Sequence, residues 1–105
     1  MEAVLVYTTF PDMDSAERIV REMLKLRLIV CANLREHTAM YVWNGEIRKE
    51  GEVGVIMKTD VSKWKEIKKF LRENHPYEIP LILRLDADKL NREYSEWMAE
   101  VLGLR

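Results

Sequence analysis

Residues 31–58 read CANLREHTAMYVWNGEIRKEGEVGVIMK. At their centre stands Asn44-Gly45, the pair that most readily takes the positive φ needed at both central positions of a type I′ turn. The strand region from Leu28 to Trp43 therefore turns back on itself and returns from Glu46 to Lys58. In such a hairpin residues pair when their numbers sum to about 89, which sets Cys31 opposite Lys58. Each arm is then about 14 residues, or ~45 Å at ~3.3 Å per residue. A domain of this chain length has a radius of gyration near ~13 Å and a diameter of only ~30–35 Å. The tip of the hairpin must project, unless Leu34–Thr38 forms a loop or bulge that shortens it. The projecting part carries Met40, Tyr41, Val42 and Trp43. An isolated ribbon with such side chains is unstable and adhesive, so Tyr41, Val42 and Trp43 are expected to pack on another subunit.

Working outward, Ala3–Phe10 (AVLVYTTF) is rich in β-branched and aromatic residues and stops at Pro11-Asp12. It reads as a buried strand closed by a turn. Asp14-Ser-Ala-Glu17 has the form of a capping box, and Ala16, Ile19, Val20, Met23 and Leu24 follow at helical spacing. After the hairpin, Asp60 or Ser62 caps a second helix with Trp64, Ile67 and Leu71 on one face. Asn74-His75-Pro76-Tyr77 ends it, because proline disfavours helix at the preceding residue. Ile79–Asp86 (IPLILRLD) is the fourth strand; Pro80 lacks a ladder donor, so the strand should start late or lie at an edge. Asn91 caps a third helix presenting Tyr94, Trp97, Met98, Val101 and Leu102, with Gly103 after its last turn.

The order βαββαβα is an α+β, ferredoxin-like arrangement with a helix added at the end. Right-handed crossovers give an antiparallel sheet of order 4-1-3-2, with helices expected on one face. No linker or repeat divides residues 1–105, so one domain is expected. The 105 residues hold 17 Lys and Arg against 18 Asp and Glu, a formal net charge of -1. That balance argues against a general nucleic-acid binder, which needs excess positive charge facing phosphates. Cys31 is the one cysteine, so no intrachain disulfide exists. No apolar run is long enough to span a membrane, and Met1-Glu2-Ala3-Val4 runs into the first strand without a basic leader. A cytoplasmic protein is expected. Charged residues make up 33% of the chain and glutamine is absent, a bias of heat-adapted proteins.

Five segments in order carry a resemblance. They are Val6-Tyr7-Thr8-Thr9-Phe10-Pro11-Asp12, Cys31-Ala32-Asn33-Leu34, Tyr41–Ile47 with its Trp43-Asn44-Gly45 core, Lys58-Thr59, and His75-Pro76-Tyr77-Glu78-Ile79-Pro80. With Tyr94 and Trp97 on the last helix, they resemble the CutA family of divalent-cation (copper) tolerance proteins over essentially the whole chain. The resemblance implies a homotrimer similar in fold to PII signalling proteins, a cytoplasmic location, and a role in metal-ion tolerance with copper binding. The alternative is a PII-like trimeric small-molecule sensor or adaptor without a metal role.

Cys31 is the one soft donor, suited to Cu(I), and an imidazole suits Cu(II) or zinc. A lone strand cysteine is more often a small buried apolar residue. His75 is the second candidate, weighed against a structural hydrogen bond at the Pro76 corner. His37 reads as a plain surface residue. The strand directions put Cys31 and His75 at opposite ends of the sheet, roughly 20 Å apart at ~3.3 Å per residue, so one chain cannot offer both to one metal. Asp86 and Asp88 share a face if the fourth strand runs that far, and Glu50 and Glu52 alternate in the same way near the hairpin. Such pairs bind divalent ions weakly, and most surface carboxylates are simply solvated. Thr8, Thr9, Lys58 and Thr59 are candidates to line a cleft between subunits and hold an anion, weighed against plain strand-end packing. No catalytic triad or phosphate loop is present, so a binding protein rather than an enzyme is expected. Copper(II) or another divalent cation is the expected ligand, bound without being needed for folding, because no closed set of about four donors exists.

Overall fold

The computed structural model describes residues 1–104. Four strands form one antiparallel sheet: β1 (Ala3–Phe10), β2 (Cys31–Trp43), β3 (Glu46–Asp60) and β4 (Leu83–Asp86). Their order across the sheet is β2-β3-β1-β4, the order expected from right-handed crossovers. The helices are α1 (Met13–Lys25), α2 (Trp64–Asn74) and α3 (Arg92–Val101).

The hairpin register holds along its whole length. Cys31 pairs with Lys58 and Trp43 with Glu46, so Leu34–Thr38 is regular strand and not a loop. Asn44 and Gly45 take φ of 51° and 78°, as a type I′ turn requires. The consequence is shape: the molecule measures 48 × 25 × 21 Å, and its long dimension is the ribbon.

Cross-strand pairs sort the side chains onto two faces. Val4, Val6, Thr8 and Phe10 of β1 join Val53, Val55 and Met57 of β3 on the face covered by α1 and α2. There Ile19, Met23, Ile67 and Leu71 complete a closed core with Phe10 at its end. The other face carries Leu5, Tyr7 and Thr9 with their partners Lys58, Ile56 and Gly54. A small second cluster sits on it, where Met98 and Leu102 of α3 pack on Val30 and Cys31. The helices are thus not all on one face. The third returns to the opposite side because its apolar stripe finds Val30 and Cys31 there, beyond the reach of the first two.

Several boundaries differ from the sequence reading, each for a local reason. The first helix is capped two residues early: Asp12 accepts from the Ser15 amide at 2.7 Å, and Asp14 is left in the first turn, where its charge suits the helix dipole. β2 begins at Cys31, not Leu28. α1 ends with Arg27 in the left-handed region and with Leu28 N–H bonded to the Met23 carbonyl, which turns Leu28–Val30 into a buried link. β3 runs on to Asp60, whose carboxylate caps the 3₁₀ turn leading into α2 by accepting from the Ser62 amide. β4 starts only at Leu83 and lies at the edge, as Pro80 requires. Asn91 occupies the cap position of α3, but its side chain bonds Glu93 instead of the helix. Gly103 takes φ of 72° and closes α3 with the Leu104 amide on the Ala99 carbonyl.

Candidate functional site

The feature richest in placed polar chemistry lies where the ribbon leaves the body. α2 stops at His75 because Pro76 forbids another turn, and the chain drops back over the end of β1. His75 stacks on Phe10 with ring centroids 4.5 Å apart, and its Nε2 lies 3.1 Å from the Thr8 hydroxyl. Its Nδ1 accepts the Tyr77 amide at 3.0 Å. That bond fixes the tautomer: Nε2 carries the proton and donates to Thr8, and the one lone pair of the neutral ring is already in use. Burial pushes the His75 pKa below its ordinary value, against a weaker opposing pull from the Thr9 backbone.

Tyr77 reaches across to the ribbon. Its hydroxyl donates to Glu52 Oε2 at 3.2 Å, and the other oxygen of that carboxylate accepts from His37 Nε2 at 2.8 Å. Burial, and then the charge of Glu52, push Tyr77 up to about 12. His37 is therefore not a plain surface residue. It is partly buried, and it lies flat over Gly54, where a Cβ would come within 2.9 Å of the imidazole. Further out along the ribbon, Tyr41 donates to Glu50 Oε1 at 2.6 Å. The alternation of Glu50 and Glu52 does put both on one face, where each is pinned by a neighbour.

These residues border a cleft of about 680 Å³ between the ribbon and the segment leading into β4. Its walls include Tyr41, Trp43, Tyr77, Glu50, Glu52 and Glu78, with Thr9 at its floor. Of Thr8, Thr9, Lys58 and Thr59, expected at a cleft between subunits, Thr9 borders this cleft within one chain. Thr8 and Thr59 face the helix-covered core, and the Thr59 hydroxyl donates to the Leu28 carbonyl at 2.6 Å. Lys58 is on the open face, its ammonium 3.8 Å from the Cys31 sulfur and 6.0 Å from the centre of the Tyr94 ring.

The sequence-derived metal donors are not brought together. Cys31 shares a rung with Lys58 and Leu5, and His75 sits over Thr8 on the opposite face, three rungs away along β1. Asp86 is held by Arg84 at 2.8 Å, and β4 ends there, so Asp88 falls in a bend and does not continue its face. Among the described residues no three His, Cys, Asp or Glu side chains converge as a metal cage. One subunit alone does not fit a closed metal site. Sequence reasoning named Tyr77 only as part of a corner and passed over His37. The readable signal was the alternation that places His37 opposite Glu52 once the Asn44-Gly45 turn is accepted.

Tyr41, Val42 and Trp43 project on the ribbon with Met40, and all are exposed in the subunit. Among the described residues no helix is long and apolar enough to cross a membrane.

Residues 4–101 match the family described as CutA1 divalent ion tolerance protein. A relative from Thermococcus kodakarensis, named divalent-cation tolerance protein CutA, is 64% identical over 97% of this chain and 98% of its own length. The crystal structure of CutA1 from Pyrococcus horikoshii superposes with a TM-score of 0.91 at 50% identity, covering 93% of this chain and 96% of that one. A structure from Archaeoglobus fulgidus, described as a periplasmic divalent cation tolerance protein CutA, has a TM-score of 0.92 at 27% identity, covering 95% and 98%. The agreement spans the hairpin, the sheet order and the helices alike, and the chain belongs to the CutA1 divalent ion tolerance protein family.

Proposed function

We propose that the protein is a homotrimer that binds divalent cations, copper among them, as part of a response to metal ions, and that it acts by binding rather than by catalysis. The observation that carries the assembly is the ribbon, which exposes large apolar side chains on both faces. Met40, Val42 and Ile47 lie on one face, all at least two-thirds exposed, and Tyr41 and Trp43 lie on the other. A two-fold dimer covers one face of each ribbon, whereas a closed ring gives every ribbon two neighbours. The open sheet face adds Ile56, Leu83 and Leu85 to the apolar surface that a partner would cover.

The metal reading rests on the family and on the scatter of donors. Cys31, His75, Asp86 and Asp88 remain the proposed ligands, each supplied singly, so that a site is completed between copies. Their readiness differs. The Cys31 thiol makes a long contact with Lys58 and lies beside Tyr94. His75 must give up its bond from the Tyr77 amide before it can ligate, and Asp86 must leave Arg84. The free thiol of Cys31 suits a reducing cytoplasm. A heat-adapted source is supported by the charge content and by relatives in Thermococcus, Pyrococcus and Thermotoga.

Sedimentation at micromolar protein followed by calorimetric titration with Cu(II) and Zn(II) tests both parts. A trimer mass with saturable binding that weakens in Cys31→Ser supports the reading. A one-subunit mass overturns the assembly, and a trimer that binds neither ion overturns the metal role. The fold should survive a chelator, since its core closes without any donor set.

A further inference from the structure

We infer that the outer flank of α2 is a docking surface for a short acidic segment of a partner protein. This goes beyond the metal reading and does not rest on it. At ~100° per residue, Lys65, Lys68, Lys69 and Arg72 fall within about 100° of arc, between the buried Ile67 and Leu71 on one side and Glu66 and Glu73 on the other. Lys65–Lys68, Lys65–Lys69, Lys68–Arg72 and Lys69–Arg72 are all like-charged neighbours three or four residues apart, an arrangement that weakens a helix. Among the described residues none of the four cations is held in an ion pair. High charge content alone does not produce such a stripe. On α1 the acids Asp14, Glu17 and Glu22 are interleaved with Arg18, Arg21 and Lys25. Like charges gathered on one flank lose their mutual repulsion when an anion is laid along them.

The inner border of the stripe shows a carboxylate already seated. Trp64 is half-buried there, with Lys68 Nζ 5.8 Å and Arg84 Cζ 5.6 Å from the centre of its ring. Arg84 pairs with Val6, so it rises on the helix side of the sheet, and it donates to both oxygens of Asp86 at 2.8 and 3.3 Å. Length favours a short partner. Lys65 to Arg72 spans ~10 Å at ~1.5 Å per residue, matched by two or three side chains on one face of an extended peptide, ~6.6–6.8 Å apart. A long polyanion would overrun the stripe onto Glu66, Glu73 and Asp86, in a chain whose net charge is -1. The flank also stays open in the assembly proposed above. It belongs to the helix layer, on the other side of the sheet from Ile56, Leu83 and Leu85, and it is no part of the ribbon.

The experiment uses the assembled protein labelled with ¹⁵N, reads the indole N–H signals of Trp64 and Trp97, and takes end-capped hexaglutamate as probe. The peptide should move the Trp64 signal saturably, leave Trp97 in place, and bind more weakly as salt is raised. Lys65→Glu with Lys69→Glu should weaken it about tenfold or more, with the circular dichroism and sedimentation mass unchanged. Lys65→Arg with Lys69→Arg should keep it. Arg21→Glu with Lys25→Glu makes the same change of charge on α1 and should leave binding within twofold. An unmoved Trp64 signal at saturating peptide overturns the proposal. Equal weakening by the α1 variant overturns it in favour of net charge alone. Tighter binding of a twenty-residue oligothymidylate, or of phosphatidylserine vesicles, than of the peptide overturns it in favour of a nucleic-acid or membrane surface.

Discussion

The inner and outer halves of one hairpin have opposite fates. Where β3 passes under α1 and α2, Val53, Val55 and Met57 are buried, with no more than 3% of their surface exposed. Where the same hairpin runs out beyond the helix-covered core, Val42 and Ile47 are 68% and 77% exposed. The register does not change between the two, and large apolar side chains continue into the outer half, at Met40, Val42 and Ile47. Only the cover changes. Hydrophobic residues that continue past the end of their own core have their physical reason outside the subunit. The inner half holds the chain together, the outer half is left uncovered by its own subunit, and the relay from His75 through Tyr77 and Glu52 to His37 sits at the seam.

That division is tested first where it predicts the largest loss. Phe10 is fully buried between the sheet and the His75 ring. Phe10→Ala should cost ~3–5 kcal/mol, from lost burial and the cavity left behind. Guanidinium unfolding at fixed protein concentration reads it. A loss under ~1 kcal/mol would mean that the inner half is not the seat of stability.

The ribbon should respond in the other way. Trp43→Asp and Val42→Asp place a carboxylate on opposite faces of it. Each should leave the circular dichroism of the subunit intact and weaken assembly by ~2–4 kcal/mol, since the charge must be desolvated at a contact. A drop in sedimentation mass at micromolar concentration is the readout. If only one of the two variants dissociates, a single face is covered and a dimer replaces the ring.

The seam is intermediate. Gly54 has His37 and the Tyr7 hydroxyl where a Cβ would stand, at 2.9 and 3.0 Å. Gly54→Ala should cost ~1–3 kcal/mol by forcing the imidazole off its bond to Glu52. The same variant carrying His37→Ala should recover most of that loss, because the colliding ring is gone.

Much of this was legible in the residues, and the failures share a cause. Asn44-Gly45 fixes a register that places His37 opposite Glu52 and Cys31 opposite Lys58, and Pro80 announces a late edge strand. Composition and periodicity report what a residue does with its own neighbours. They do not report what arrives from elsewhere in the chain. Tyr77 reaches Glu52 across 25 positions, and His75 reaches Thr8 across 67. Neither contact has a spacing that a sequence displays. The face chosen by α3 was hidden for the same reason, since Val30 and Cys31 become its floor only after the sheet exists. The helix cap was missed by a different route: Asp12 and Asp14 are both good caps in isolation, and Ser15 decides between them.

Acidification should separate the body from the ribbon without any change to the ribbon. Burial lowers the folded-state pKa of His75 below its ordinary 6.5. The unfolded chain therefore binds the proton more readily, and stability rises with pH wherever that difference persists. The stabilising contribution is complete above pH ~6.5 and is lost as pH falls from there through the lowered folded value. Melting of the wild type at pH 8 and pH 5 should show a larger acid loss than His75→Gln, with the same assembly mass at both. An equal loss in the two proteins would remove His75 as the source.

The smallest effect concerns four positions held in the left-handed region among the described residues, two of them glycine. Gly103 closes α3 and Gly45 turns the ribbon, both with the residue that costs least there. α1 instead ends on Arg27, at φ of 56°, with the Arg27 amide on the Leu24 carbonyl and the Leu28 amide on the Met23 carbonyl. That is the same closing pattern as at Gly103, built with a side chain that crowds the next carbonyl. Arg27→Gly removes the crowding but frees the unfolded chain, and the two partly cancel. A net gain of ~0.5–1 kcal/mol is expected, read as a shift in the denaturation midpoint with an unchanged slope. Asn44 tolerates the left-handed region better than arginine, so Asn44→Gly at the ribbon tip should gain less than Arg27→Gly. A larger gain at Asn44 would place the chain's backbone strain at the ribbon tip, not in the packed body.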